Sequence, residues 1–139
     1  MALNTQIANA TVNAQADLLS DNLDNGYLRI YDGTQATDAD TAVGAQVLLA
    51  ELRFNATAAP AASGGVLTFN ALTADASANA TGTATWFRAL SSNGTTVVMD
   101  GSVGTATSNL ILNTASIVSG ANVSVSSFTH DVRNATSGF

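Results

Sequence analysis

The chain of 139 residues has the length of one domain, and 46% of its residues are hydrophobic. Its ten acidic residues outnumber four cationic ones, all arginine, and the net charge of −6 argues against nucleic acid as a partner. Cysteine is absent, which excludes disulfides and thiolate metal sites, and no stretch reaches the roughly 20 apolar residues of a membrane-spanning helix.

The first predicted element is an amphipathic α-helix over residues 12–23. Its apolar residues recur at spacings of four, three and four and form one stripe: Val12, Ala16, Leu19 and Leu23. The Asn25-Gly26 pair ends this helix, with Gly26 expected at the C′ position. We expect the helix to pack on a sheet or to plug an open end. The alternative is that it grips a neighbouring subunit.

Alternating apolar and polar residues predict strands from Tyr27 onward. The predicted strand segments are residues 27–32, 47–54, 65–74, a hairpin within 81–103, 109–113 and 122–132. In the last segment Phe128 is out of phase with Val123 and Val125, which predicts a β-bulge near Ser126 and Ser127.

Seven or eight short strands, spaced about ten residues apart, are typical of an antiparallel sandwich or barrel. We therefore predict a mainly β fold, an antiparallel β-sandwich that is jelly-roll-like, with one N-terminal α-helix. One domain is expected over residues 1–139, with an arm and helix in 1–25, strands in 26–132 and a tail in 133–139. The predicted core comprises Leu28, Ile30, Leu48, Leu52, Phe54, Leu67, Phe69, Trp86, Leu110 and Val125.

The most specific predicted element is the hairpin around Asn93-Gly94. This dipeptide favours a two-residue type I′ turn, because both central residues need positive φ angles. Such a turn would form two cross-strand pairs: Leu90 with Val97, and Arg88 with Met99. A longer turn over residues 91–94 is the alternative and would leave this pairing unchanged. Both faces of the hairpin carry apolar groups, so we expect it to lie inside a layered structure.

Two groups of side chains are candidates for chemistry. Asp32, Asp38 and Asp40 lie in a polar loop with a glycine, a composition that can hold Ca²⁺, but the spacing is not that of an EF-hand. Aspartate also populates loops through turns closed by its own side chain, and we favour that interpretation. His130 and Glu51 are the single histidine and glutamate, and neither belongs to a nucleophile motif. We therefore expect no catalytic residue, no metal and no cofactor.

Charged residues make up only 10% of the chain, against a typical share of about 25%. Serine, threonine, asparagine and alanine stand where most small domains carry lysine and glutamate. A charged surface helps a small domain to remain monomeric. The composition therefore favours an exterior that packs against neighbouring subunits. The alternative is a secreted β-sandwich with a coat of hydroxyl groups.

An ordered set of segments covers nearly the whole chain, from about residue 13 to residue 128. It comprises an alanine-rich N-terminal helix followed by GYLRIYDGTQATDADTAVGAQVLLAELRF, ATGTATWFRAL, NGTTVVMDGSVG, NLILN and SIVSGANVSV. This set resembles a family of small proteins encoded among the head and tail genes of tailed bacteriophages and prophages. The resemblance implies a structural protein of the virion, in particular a capsid cement, or decoration, protein.

Capsid cement proteins bind the outside of the head shell and stabilise junctions between major capsid proteins. The implied partners are the major capsid protein and copies of this chain, as a trimer or dimer, with no nucleic acid and no membrane. The N-terminal sequence has neither the basic start nor the apolar core of a signal peptide, so we expect synthesis in the bacterial cytoplasm and residence on the virion. The alternative function is a receptor- or glycan-binding β-sandwich of a tail fibre or cell surface, which would need exposed aromatic platforms.

The contacts expected for a cement protein are the strand edges, the loop of residues 32–41 and both chain ends. The ends are polar sequences that an isolated core would not order. Removal of residues 1–11 or 133–139 is therefore expected to leave the fold intact and to weaken attachment to the shell.

Overall fold

The computed structural model describes residues 7–106, 108 and 110–131. The fold of this part is mainly β, as predicted, with one helix. The elements in chain order are α1 (Asn9–Leu23), β1 (Tyr27–Tyr31), β2 (Leu48–Arg53), β3 (Val66–Thr68), β4 (Gly82–Thr83), β5 (Trp86–Leu90), β6 (Val97–Gly104), β7 (Leu110–Leu112), β8 (Ser116–Ile117) and β9 (Val125–Asp131). Residues 1–6 of the predicted arm and the predicted tail 133–139 lie outside the described residues.

Seven strands form one mixed sheet in the order β2-β1-β5-β6-β7-β9-β3, and β4 pairs with β8 in a two-stranded ribbon. The prediction of purely antiparallel pairing is wrong at one place, because β6 and β7 run parallel where Val103 pairs with Leu110. Antiparallel pairing of β7 with β9 brings Leu110 opposite Phe128, and both side chains are buried in the core. The parallel direction of β7 relative to β6 thus comes with a pairing to β9 that buries Leu110 in the core. The jelly-roll-like sandwich stays a prediction.

The sheet curls until the chain beyond one edge strand reaches the other edge. Arg53 at the end of β2 and Thr73 beyond β3 exchange two backbone hydrogen bonds, at 3.3 and 2.9 Å. The sheet face inside this curl, here called the inner face, holds four phenylalanines in ring contact: Phe54, Phe69, Phe87 and Phe128. The opposite side of the sheet is the outer face.

Eight of the ten predicted core residues are buried, and two are half-buried, Leu48 and Val125. A β-bulge explains the first exception, because Leu49 is left out of the pairing between β1 and β2 and is itself fully buried. The bulge predicted in β9 is confirmed. Ser127 pairs with Ile111 and Val125 with Leu112, so Ser126 is passed over.

The helix α1 begins one turn earlier than predicted and packs on β3 and β6. Its buried residues follow the predicted stripe except that Leu19 is only partly buried: Val12, Ala16, Ser20 and Leu23. No helix in the described part of the chain is long and apolar enough to cross a membrane.

Polar side chains on a second side of α1, together with that of Asp24 just after the helix, bind the backbone of residues 58–65. Asn13, Asp17 and Asp24 each accept a hydrogen bond from a backbone N–H, at 2.7 to 2.8 Å. The donors are Gly65, Ala62 and Ala58 respectively. These contacts tie the long connection between β2 and β3 to the helix, which explains why a loop of small residues is held in place.

The end of α1 differs from the prediction. Asn25, rather than Gly26, has the left-handed conformation, with φ of +56°. Gly26 is required for close approach instead, because a Cβ at this position would collide with the carbonyl oxygen of Leu90 and lie 2.8 Å from that of Leu23. The helix end therefore rests directly on the backbone of β5.

The hairpin between β5 and β6 forms the longer of the two turns considered. The N–H of Gly94 donates to the carbonyl of Ser91 at 2.9 Å, and Gly94 has a φ of +73° whereas Asn93 does not have a positive φ. Leu90 pairs with Val97 as predicted. The predicted partner of Arg88 is wrong, because a bulge beside Leu90 shifts the register and places Asp100, instead of Met99, opposite Arg88.

Candidate interaction surface

The outer face of the sheet carries a row of four charged side chains across four strands. Glu51 on β2 is opposite Arg29 on β1, Arg29 is opposite Arg88 on β5, and Arg88 is opposite Asp100 on β6. Directly opposed residues project from the same face, so the row reads acidic, basic, basic, acidic. A carboxylate thus flanks each arginine and offsets the repulsion between the two guanidinium groups.

The two ion pairs of this row differ greatly in burial. Arg29 Nε donates to Glu51 Oε2 at 2.7 Å, with side chains 28% and 34% exposed. Arg88 Nε donates to Asp100 Oδ1 at 2.8 Å, with side chains 5% and 3% exposed. The cause is the connection between β1 and β2, residues 32–47, which lies over the Arg88 end of the row. We call this segment the anchored loop.

Two residues of β5, and Thr85 just before it, donate side-chain hydrogen bonds to the anchored loop. Arg88 Nη2 donates to the carbonyl of Thr41 at 2.7 Å. The indole Nε1 of Trp86 donates to the carbonyl of Asp32 at 3.0 Å, and Thr85 Oγ1 donates to that of Gly33 at 2.6 Å. Three side chains thus satisfy three loop carbonyls and fix the loop at residues 32, 33 and 41.

Side chains of the loop add internal hydrogen bonds. Gln46 Nε2 donates to the carbonyl of Thr34 at 2.6 Å, and Gln46 Oε1 accepts from the N–H of Gly44 at 2.8 Å. Asp32 Oδ1 accepts from the N–H of Val47 at 2.6 Å. Together they shape a groove of about 610 Å³ lined by residues 32–37, 41–42 and 44–46. A long exposed loop without secondary structure is usually either functional or disordered, and this one is ordered by its contacts.

The electrostatics of Arg88 indicate a positioning role. Its hydrogen bond to Asp100 raises the pKa of Arg88, against the opposing effect of burial, so the guanidinium stays charged. A buried ion pair contributes little net stability, because removing both charges from water costs about as much as their attraction returns. The ion pair matters more for the position of the loop than for stability, since Arg88 joins the sheet to the loop.

The outer face beyond the loop carries a second cluster, which we call the arginine patch: Tyr27, Arg29 and Arg53. Of these, Arg53 is exposed and the other two are half-buried. The guanidinium carbon of Arg53 lies 4.0 Å from the centroid of the Tyr27 ring, and that of Arg29 lies 5.9 Å away. Arg53 Nη2 also donates to the carbonyl of Asn25 at 2.8 Å. Stacking and this bond hold Arg53 in place although it is exposed.

Two of the three aspartates considered as calcium ligands, Asp32 and Asp38, accept hydrogen bonds within the loop itself. Asp38 Oδ1 accepts from Thr41 Oγ1 at 2.8 Å and from the N–H of Asp40 at 3.1 Å, which is the side-chain turn favoured from the sequence. Asp32 binds Val47 as described above. The described residues contain no group of three or more histidine, cysteine, aspartate or glutamate side chains placed to hold a metal ion.

The single histidine and the single glutamate are not brought together. His130 is on β9 opposite Leu67, whereas Glu51 is on β2 and paired with Arg29. Burial lowers the pKa of His130, and the neighbouring Asp131 offsets part of this effect. Neither residue belongs to the buried ion pair around Arg88, which the sequence did not single out.

The residue pair that sequence reasoning missed is Arg88 with Asp100. An arginine in the middle of a strand, in a chain with four cationic residues, is the signal that could have drawn attention to it. The predicted register opposed Arg88 to Met99, and the ion pair was therefore not visible.

Comparisons with protein-family models, curated proteins and solved structures found no match to this chain.

Proposed function

We propose that this protein is a structural protein of a tailed-bacteriophage virion, a capsid cement protein that binds the outside of the head shell and stabilises junctions between major capsid proteins. The anchored loop carries this proposal. It is an exposed segment of mostly small, uncharged residues that hydrogen bonds from Thr85, Trp86 and Arg88 hold against the outer face. The family resemblance supplies the identity of the partner, and the jelly-roll-like sandwich and the virion location belong to the same proposal.

The physical demands on a cement protein agree with such a loop. Each contact with the shell can be modest, because the repeated lattice makes attachment multivalent. A loop that is already ordered loses little conformational entropy when it docks. We assign the shell contact to residues 33–37 and 44–46 of the anchored loop, here called its far end. These residues line the groove and carry no charged side chain.

The receptor- or glycan-binding alternative receives less support from the outer face. Its aromatic platform would have to come from tyrosine or tryptophan. Trp86 is fully buried and Tyr31 is 7% exposed, and their rings stack on each other at 4.8 Å beneath the anchored loop. Tyr27 alone is half-buried, and Arg53 covers its ring.

The proposal is tested by co-sedimentation of the full chain with phage particles stripped of their native copies. Wild type should bind in many copies per particle, since a shell repeats its junctions and attachment is multivalent. Gln35→Arg places a bulky charge on the far end of the loop and should abolish most of the binding. Thr129→Arg, at an exposed position on β9, is the matched control and should bind as wild type does.

A wild type that does not sediment with particles would show that the protein is not a cement protein. Equal binding of wild type and Gln35→Arg would show that the far end of the loop is not the shell contact. Densitometry of purified virions gives an independent measure, because a tail-fibre protein would be present in only a few copies.

A further inference from the structure

Two patches of opposite charge lie side by side on the outer face. The anchored loop contains three aspartates and no cationic residue, and Asp38 and Asp40 are at least partly exposed. The arginine patch adjoins it, because Arg29 in the patch is directly opposite Arg88, and Arg88 binds the loop. Of the four arginines, the three within the described residues all lie on this face, in a protein whose net charge is −6.

Within the described residues, Arg53 is the arginine without a carboxylate partner. The two ion pairs there join Arg29 to Glu51 and Arg88 to Asp100. Arg53 is nevertheless held by the Tyr27 ring and the carbonyl of Asn25, so its guanidinium is pre-organised. A planar guanidinium fork matches the geometry of a carboxylate and can bind it through two parallel hydrogen bonds.

We propose that the outer face binds a second copy of this chain face to face about a two-fold axis, with Arg53 of each copy paired to Asp40 of the other. Adjacent patches of opposite charge make a face self-complementary. A two-fold axis that lies in the interface and runs along the boundary between the two patches places each patch on the oppositely charged patch of the partner. Such a contact is isologous and closes at two copies.

The dimer leaves the remaining part of the loop for another partner. Asp38 and Thr41 lie above Arg88 near the middle of the face, whereas Gly33 lies above Thr85, which precedes β5. The two-fold contact uses the part of the loop around residues 38–41, and the far end remains available to the shell. The family resemblance behind the proposed function implies copies of this chain as partners, in a trimer or dimer, and the proposed dimer specifies the symmetry and the residues.

The test uses the full chain in solution without particles. Sedimentation velocity of wild type should give twice the chain mass of 14.0 kDa. In a dimer of Arg53→Glu, two acidic side chains meet at each contact, and in a dimer of Asp40→Arg two basic side chains do. Each substitution should weaken the dimer at least about tenfold. Asp21→Arg makes the same charge change as Asp40→Arg at an exposed position on α1, and its dimer should match wild type.

The decisive sample is an equimolar mixture of Arg53→Glu with Asp40→Arg. In a two-fold dimer of the two variants, the introduced glutamate meets the introduced arginine at one contact, and the native pair of Arg53 with Asp40 forms at the other. The mixture should therefore recover a heterodimer. Asp40→Arg alters a side chain in a surface turn, which keeps the test valid if Arg53→Glu folds poorly.

Three results would overturn the proposal: a monomeric or trimeric wild type, single variants that dimerise like wild type, or a mixture that stays monomeric. None of these results affects the particle-binding test of the proposed function, because that test uses different residues and a different readout.

Discussion

Arg88 and Asp100 form a two-pronged ion pair across β5 and β6. Arg88 Nε donates to Oδ1 of Asp100 at 2.8 Å, and Nη2 donates to Oδ2 at 2.9 Å. The same Nη2 also donates to the carbonyl of Thr41. One buried cation therefore connects a central strand, its neighbour and the anchored loop, and its removal should affect both stability and loop order.

Replacing Asp100 by Ala should destabilise the protein strongly, because it leaves the Arg88 guanidinium buried without its counter-ion. Breaking a buried pair in this way costs about 3–5 kcal/mol. Glu51→Ala is the matched control, since it breaks the half-exposed pair of the same row and should cost less than about 1 kcal/mol. Urea unfolding measures both. Similar losses in the two variants would contradict the account of Arg88.

The double variant Arg88→Met with Asp100→Leu separates loop anchoring from stability. Two apolar residues of similar size should recover most of the stability lost in Asp100→Ala, since neither leaves a buried charge. The carbonyl of Thr41 nevertheless loses its donor, so amide hydrogen exchange within residues 38–47 should become faster than in wild type. Unchanged exchange in a stable double variant would show that Arg88 does not anchor the loop.

Gly101→Ala should destabilise the sheet through overpacking. A Cβ at Gly101 would lie 2.5 Å from Cε1 of Phe87, its fully buried cross-strand partner, and the expected cost is about 1–3 kcal/mol. Phe87→Leu should partly relieve the clash, so the double variant should show a favourable coupling in thermal unfolding. Gly44→Ala serves as the control, because its nearest contact is an ordinary 3.5 Å and its effect should be small.

Asn93→Ala should weaken the hairpin by about 1 kcal/mol. The Oδ1 atom of Asn93 accepts from the N–H groups of Thr95 and Thr96 and from the hydroxyl of Ser91, each at 2.9 Å, and all three contacts are lost. Asn93→Asp keeps an acceptor at this position and should lose less. Urea midpoints of the three proteins provide the comparison, and an Asp variant as unstable as the Ala variant would argue against the acceptor role.

The stability of the protein should fall as the pH drops below about 6.5. Burial lowers the pKa of His130 from its ordinary value of 6.5, so the unfolded chain binds more protons than the folded one in this range. The free energy of unfolding should therefore decrease from about pH 7.5 to 5.5, and His130→Gln should flatten that slope. Equal slopes would contradict the assignment. We expect no catalytic role for His130, so His130→Ala should leave the function of the protein intact apart from a local effect at an interface.

The sequence by itself determined the elements whose signals are local. The apolar stripe of α1 and the alternation in β1, β2 and β9 identify buried faces, because the side-chain period of a helix or strand is fixed by backbone geometry. The same alternation located the bulge at Ser126, where the period breaks. Most of the predicted core follows from these periods, including Leu28, Leu52 and Leu110.

Only the tertiary structure decided which strands are neighbours and which residues oppose one another. A bulge beside Leu90 moved the partner of Arg88 from Met99 to Asp100, and a second bulge exchanged Leu48 for Leu49 in the core. A slip of one residue leaves the local period almost unchanged but replaces every cross-strand partner beyond it. The buried ion pair and the anchoring of residues 32–47 depend on those partners, so the candidate surface became visible only once the strands were paired.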